Sequence, residues 1–155
     1  MANINIVLFQ PDIAGNVGAI IRTAVGLGAK LHIIEPCGFP FDLERVKKSA
    51  LDYLFQAEII RHPSFDSLLN LVKAENSRLI LASSKAEKSY LDIRFALNDY
   101  IIFGRESAGV PDEVANKCDL LTTIKMKNNL RCFNVAISCG IIVAKAVADI
   151  DNLAN

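Results

Sequence analysis

No C-x-x-C pair occurs among the four cysteines, Cys37, Cys118, Cys132 and Cys139, and there are only two histidines. A metal site of the zinc type is therefore not expected, and a disulfide framework is not indicated. Unpaired thiols suit a reducing cytosol, so a cytoplasmic location is expected. Charge of one sign is missing too, because 17 Lys plus Arg balance 17 Asp plus Glu. With no global field to gather a polyanion, any nucleic-acid site must be a local patch. The opening MANINIVLF has neither a basic n-region nor a small-residue cleavage site, which argues against a signal peptide. No apolar stretch approaches the roughly 18 residues of a membrane span, so no membrane partner is expected. A G-x-G-x-x-G after a strand, a Walker lysine loop and a G-x-S-x-G elbow are all absent, which disfavours dinucleotide, P-loop and serine-hydrolase chemistry.

What is present is an apolar chain of 155 residues, 52% hydrophobic and 22% charged. That length and composition fit one globular domain, residues 1–155, with a real core. Apolar strand-like runs alternate with helix-period segments. Strands are expected at Asn5–Phe9, Leu31–Ile34, Ala57–Arg61, Arg78–Ser83, Tyr100–Phe103 and Leu120–Ile124. Helices are expected from an Asn16 N-cap to Leu27 with Gly28 as C-cap, from Asp42 to about Ala50, and after Ser64. Two more follow, one with Pro111 at its first position and one from Asn134 to about Ile150. Most strands read as continuous apolar runs rather than in-out alternations. The fold class is therefore α/β, with a parallel sheet covered on both faces.

The last helix, NVAISCGIIVAKAVADI, is apolar over most of its circumference until Lys145. It belongs in the core, between subunits, or partly in each. Ala136, Gly140 and Ala144 recur every fourth residue and give a flat strip for close helix contact.

In a parallel α/β sheet, ligands sit beyond the carboxyl ends of the strands. Three segments there hold unusual polar chemistry. In AGNVGAIIR, Gly15 and Gly18 permit close backbone approach, and Gly18 and Arg22 share a helix face. In GRESAG, two glycines bracket a loop whose backbone groups suit direct ligand contact, and Glu106 follows a buried strand where a lone carboxylate is costly. In IKMKNNLRCFN, Lys125, Lys127 and Arg131 cluster without an acid, a pattern that binds phosphates or simply makes a solvated loop. A fourth segment, LASSK, ends a strand with two hydroxyls and a lysine and says little alone.

Together, N-x-G-x-x-x-R (Asn16, Gly18, Arg22), F-G-x-E-x-x-G (Phe103, Gly104, Glu106, Gly109) and R-x-x-N (Arg131, Asn134) resemble the three ordered motifs of the SPOUT RNA 2′-O-methyltransferases. The short length and the HIIEPCGF stretch resemble the small members that methylate the wobble nucleotide of tRNA, cytidine or uridine 34. The resemblance implies a Rossmann-like domain with a C-terminal deep trefoil knot, S-adenosylmethionine as cofactor, tRNA as substrate and a homodimer. It further implies Arg22, Asn16 and Glu106 as catalytic residues, and cofactor contacts at Ala82, Gly104, Ile124 and Cys132, largely through backbone groups. RNA contacts fall on Lys125, Lys127 and Arg131.

The chain departs from the family in the third motif. Where R-S-x-N-x-S is usual, it has Arg131-Cys132-Phe133-Asn134-Val135-Ala136. Two hydroxyls become a weak thiol donor and a methyl, weakening any side-chain relay through them. Methylation of ribosomal RNA and noncatalytic RNA or adenosine binding are the competing functions.

Overall fold

The isoleucine-, valine- and leucine-rich runs form six strands: β1 (Asn5–Phe9), β2 (Lys30–Ile34), β3 (Ile59–His62), β4 (Leu79–Ala82), β5 (Tyr100–Phe103) and β6 (Leu120–Thr122). The computed structural model describes residues 4–40, Val46 and residues 55–154. The strands make one sheet in the order β3-β2-β1-β5-β4-β6, and every neighbouring pair is parallel. β1 and β5 lie at the centre and are buried throughout.

Alternate residues of each strand point to opposite faces, and each face has its own apolar layer. On one face Ile6, Leu8, Ile33, Ile101 and Phe103 pack against α1 (Ala14–Leu27) and α4 (Val135–Ala154). On the other, Val7, Phe9, Leu81 and Ile102 pack against α2 (Phe65–Ala74) and Val114 of the short α3 (Asp112–Asn116). Leu68, Leu69 and Val72 of α2 are buried. Each contributes about 1.5–3 kcal/mol relative to exposure. The doubly covered parallel sheet expected from the sequence is the observed architecture.

Several ends differ from the sequence reading, each for a physical reason. Asn16 does not cap α1. The N-cap is Ile13, in extended geometry and without a side-chain bond, and the helix starts at Ala14. The Asn16 amide is drawn instead into hydrogen bonds across the fold, which outweigh local capping. Gly28 does close the helix, at φ 67. Ser64 caps α2 by accepting from Ser67 N at 3.2 Å. Pro111 is the N-cap of α3 rather than its first residue. β3 is shifted to Ile59–His62, and β4 is trimmed to Leu79–Ala82. β6 stops at Thr122 because Thr123 N leaves the ladder to donate to Lys88 O at 2.9 Å. The 3₁₀ turn at Tyr90–Asp92 had no sequence signal. The helix expected from Asp42 to Ala50 lies outside the described residues.

α4 has one face in the core, as one of the readings of its sequence expected. Cys139, Ile142, Val143, Ala146 and Ile150 are buried beneath it, while Ile137 stays 54% exposed. Ala144 is exposed, and a Cβ placed on Gly140 would meet nothing within 4 Å. One face of the helix completes the core, with Ala136 half-buried against it, while Gly140 and Ala144 lie towards the open side of the helix. Among the described residues, no helix is long and apolar enough to cross a membrane.

Candidate functional site

β1 and β5 are hydrogen-bonded neighbours, with Leu8 beside Phe103, so the loops that leave them emerge side by side. The loop after β5 folds back on itself. Arg105 N donates to Gly109 O at 3.0 Å, and Gly109 N returns a bond to Arg105 O at 2.8 Å. Gly109 takes φ 64, a left-handed conformation suited to glycine. Gly104 is required for a different reason. A Cβ there would stand 2.7 Å from both Cα and C of Gly109. The two glycines let main chain pack on main chain.

This loop presents Glu106 to the loop after β1. Glu106 Oε2 accepts from Asp12 N at 3.1 Å, and Oε1 accepts from Asn16 Nδ2 at 3.1 Å. Asn16 Oδ1 in turn accepts from Asn134 Nδ2 at 3.1 Å. Asn134 is itself held by Ala136 N, which donates to Asn134 Oδ1 at 2.8 Å and so caps α4. At the other end, the Ser107 hydroxyl donates to Asp12 Oδ2. A continuous polar chain, Asn134–Asn16–Glu106–Asp12–Ser107, thus joins the three sequence motifs. Asp12 and Ser107 were not singled out by sequence reasoning. Their signal was position alone, in the two loops that follow neighbouring central strands.

The two carboxyls divide their proton unequally. Burial, then the contact with Asp12, raises the Glu106 pKa. The hydrogen bond with Glu106, against an opposing effect of burial, lowers that of Asp12. The first proton taken up by the pair therefore goes to Glu106. Behind it, the Arg105 guanidinium lies 5.7 Å from the centre of the Phe9 ring.

The remaining predicted residues take up three places. Arg22 is exposed on α1, six residues beyond Asn16. Ala82 ends β4 in register with Phe103, so Ala82 and Gly104 stand at adjacent strand ends. Ile124 and Lys125 line two neighbouring cavities of about 380 and 400 Å³. Arg131 lines the first and Lys127 the second, whose other walls include the apolar Tyr90, Leu130, Phe133 and Ile141. The chain turns between Lys127 and Arg131 through Asn128 and Asn129, both left-handed, at φ 59 and 58. Cys132 is an exposed free thiol on the loop entering α4. Among the described residues, no three His, Cys, Asp or Glu side chains are grouped to hold a metal ion.

The chain is similar in sequence and fold to known proteins. A tRNA (cytidine(34)-2′-O)-methyltransferase of Ancylobacter novellus is 38% identical over 140 residues, covering 90% of this chain and 89% of that one. The enzyme of the same description from Beijerinckia indica is 36% identical over 147 residues, covering 95% and 92%. A solved structure concerned with the 2-OH methylation of C/U34 on tRNA superposes with a TM-score of 0.91 at 34% identity, covering 96% of this chain and 97% of that one. The SpoU methyltransferase AviRb from Streptomyces viridochromogenes, solved with AdoMet, superposes with a TM-score of 0.85 at 25% identity, covering 93% of this chain and 56% of that one. The SpoU rRNA Methylase family profile matches residues 3–144, and the chain belongs to that family.

Proposed function

We propose that this chain is an S-adenosylmethionine-dependent methyltransferase acting on the ribose 2′-hydroxyl of the wobble nucleotide, cytidine or uridine 34, of tRNA. The observation that carries this reading is the likeness to tRNA (cytidine(34)-2′-O)-methyltransferases over nine-tenths of the chain, at up to 38% identity. The hydrogen-bonded assembly of all three motifs supports it.

The cofactor supplies an electrophilic methyl on a sulfonium. A cavity of about 380 Å³ beside Ile124 is of a size that fits such a molecule. Ile124 lines this cavity, and the family's motif pattern assigns Ala82, Gly104 and Cys132 to the cofactor as well, mainly through backbone groups. Transfer requires the ribose oxygen in line with the methyl, and positioning supplies much of the rate. Arg22 stabilises the developing alkoxide and holds the neighbouring phosphate. As a permanently charged guanidinium it is not the base. Asn16 and Glu106 orient this network, while Lys125, Lys127 and Arg131 bind RNA phosphates.

In this reading, residues 1–155 are one SPOUT domain with a trefoil knot in the C-terminal part, working in the cytoplasm as a homodimer. The open face of α4, with Ile137, Gly140 and Ala144, supports a second copy docking there. Light scattering at micromolar concentration should give twice the chain mass, and a monomer mass would remove the dimer. Methyl transfer from labelled S-adenosylmethionine to bulk tRNA, followed by mapping of the modified nucleotide, tests the function. Label at ribose 34 is expected. Label confined to ribosomal RNA, or none, would overturn the reading.

A further inference from the structure

β4 ends at Ala82, and the chain runs at once into a largely exposed loop, residues 84 to 89. Two hydrogen bonds shape its entry: Lys85 N donates to Ser83 Oγ at 3.2 Å, and Ala86 N donates to Ser83 O at 3.1 Å. The far end is tied to the segment leaving β6. Thr123 N and Thr122 Oγ1 both donate to Lys88 O at 2.9 Å, and Tyr90 N donates to Thr123 O at 2.9 Å. Lys85 and Lys88 are thus anchored by their main chain while their side chains remain exposed.

The segment they are tied to continues into Lys125, Lys127 and Arg131. The cavity of about 380 Å³ lies between the two, with Ala86 and Glu87 on one wall and Lys125 and Arg131 on the other. The two segments together carry five cations, Lys85, Lys88, Lys125, Lys127 and Arg131, against one carboxylate, Glu87. None of the five forms an ion pair among the described residues. In a chain of zero net charge, this is the local basic patch that a polyanion would need. Five exposed cations spread over two loops match a row of phosphates better than one small anion, which needs converging buried donors.

We propose that Lys85 and Lys88 contact the ribose-phosphate backbone of the substrate RNA, extending the RNA surface from the Lys125–Arg131 segment onto the loop after β4. The inference rests on the reading of this chain as a tRNA methyltransferase. Neither lysine is needed for the chemistry itself, so their contribution falls on RNA affinity and on its dependence on salt.

The test compares the wild type with Lys85→Ala/Lys88→Ala, and with Lys73→Ala on α2 as a distant charge control. The double variant should bind S-adenosylmethionine and melt like the wild type, because the tethers use main-chain atoms of Lys85 and Lys88. Its KM for tRNA should rise while kcat at saturating tRNA holds. Losing two phosphate contacts flattens the slope of log affinity against log salt by about 0.7 each for single-stranded RNA. Raising salt fourfold should therefore cost the wild type about seven times more affinity than the double variant. Lys73→Ala should keep the wild-type slope. An unchanged KM and salt slope in the double variant, with a wild type that methylates tRNA, would overturn this inference alone. A wild type that neither binds nor methylates tRNA would overturn it together with the reading beneath it.

Discussion

Replacing Gly104 with alanine should damage both stability and cofactor binding, and the structure gives the size of the effect. The new Cβ would sit 2.7 Å from Gly109 Cα and C and 3.1 Å from Val110 N. All three are backbone atoms, so no side chain can swing aside to relieve the clash. The loop must open, at the expense of the paired bonds between Arg105 and Gly109 at 3.0 and 2.8 Å. Overpacking of this kind costs roughly 1–3 kcal/mol. For a chain of this size each kcal/mol lowers Tm by about 2–4 °C, so a fall of about 2–12 °C is expected. Calorimetric affinity for S-adenosylmethionine should fall with it. Gly109 offers a control with a different cause, since a Cβ there meets nothing within 4 Å but φ is +64. Asparagine tolerates that region better than alanine does. Gly109→Asn should therefore be milder than Gly109→Ala, whereas Gly104→Asn should be no milder than Gly104→Ala. Should Gly104→Ala melt within about 1 °C of the wild type, the close packing of the two glycines is not what the loop depends on.

Three other outcomes follow from the site and the core. Arg22→Ala should abolish methyl transfer with cofactor binding nearly intact, and Arg22→Lys should fail too, because a point charge cannot reproduce the planar fork; wild-type turnover in either would remove Arg22 from the chemistry. Cys132→Ser should keep or raise activity by roughly fivefold at most, the equivalent of one neutral hydrogen bond of about 1 kcal/mol. Cys132→Trp should block cofactor binding, and normal binding in that variant would place Cys132 outside the pocket. The third outcome concerns His32, whose pKa is lowered to about 4 by burial first, then by His62 and Lys30. Its ring nitrogen lies 2.9 Å from that of His62, whose own pKa burial also lowers. The unfolded chain therefore takes up these protons before the folded one does. His32 contributes stability that is complete above about pH 6.5 and fades towards about pH 4, worth about 3 kcal/mol. Thermal melts across that range should show the loss, and His32→Gln should flatten it; a pH-independent Tm would contradict the burial argument.

The sheet was legible in the sequence because a strand buried on both faces must be apolar at every position. Ile6–Phe9 and Tyr100–Phe103 come close to that condition, Asn5 being a buried amide bonded to His32 and Asn98, and the bounds of both strands were read correctly. Local chemistry also served where it acts alone, as with Ser64 and Gly28. It misled at Asn16, whose amide has partners 90 and 118 residues away. No window of sequence contains Glu106 or Asn134 as a competitor for that side chain. The same distance hid Asp12, which reads as turn material until the loop after β5 arrives beside it. Motif spacing brought Asn16, Glu106 and Asn134 to attention, but their joining in one polar chain needed three dimensions. The tie between Lys88 and the end of β6 was likewise invisible, because its acceptor is the Lys88 backbone carbonyl, which carries no residue identity.

The polar chain through Asn134, Asn16, Glu106 and Asp12 also has a consequence for the order in which the fold is completed. Its bonds close loops of 118, 90 and 94 residues, among the most non-local contacts a chain of 155 can make. Closure of such loops comes late in folding, after shorter-range contacts are in place. A ribosome-bound chain lacking residues beyond about 130 would have β1, β5 and both glycines, yet no Asn134 and no α4 to seat it. Closure of this polar chain is thus tied to completion of the chain: without Asn134 and α4, the Asn16 amide oxygen has lost its partner and the three motifs are not joined.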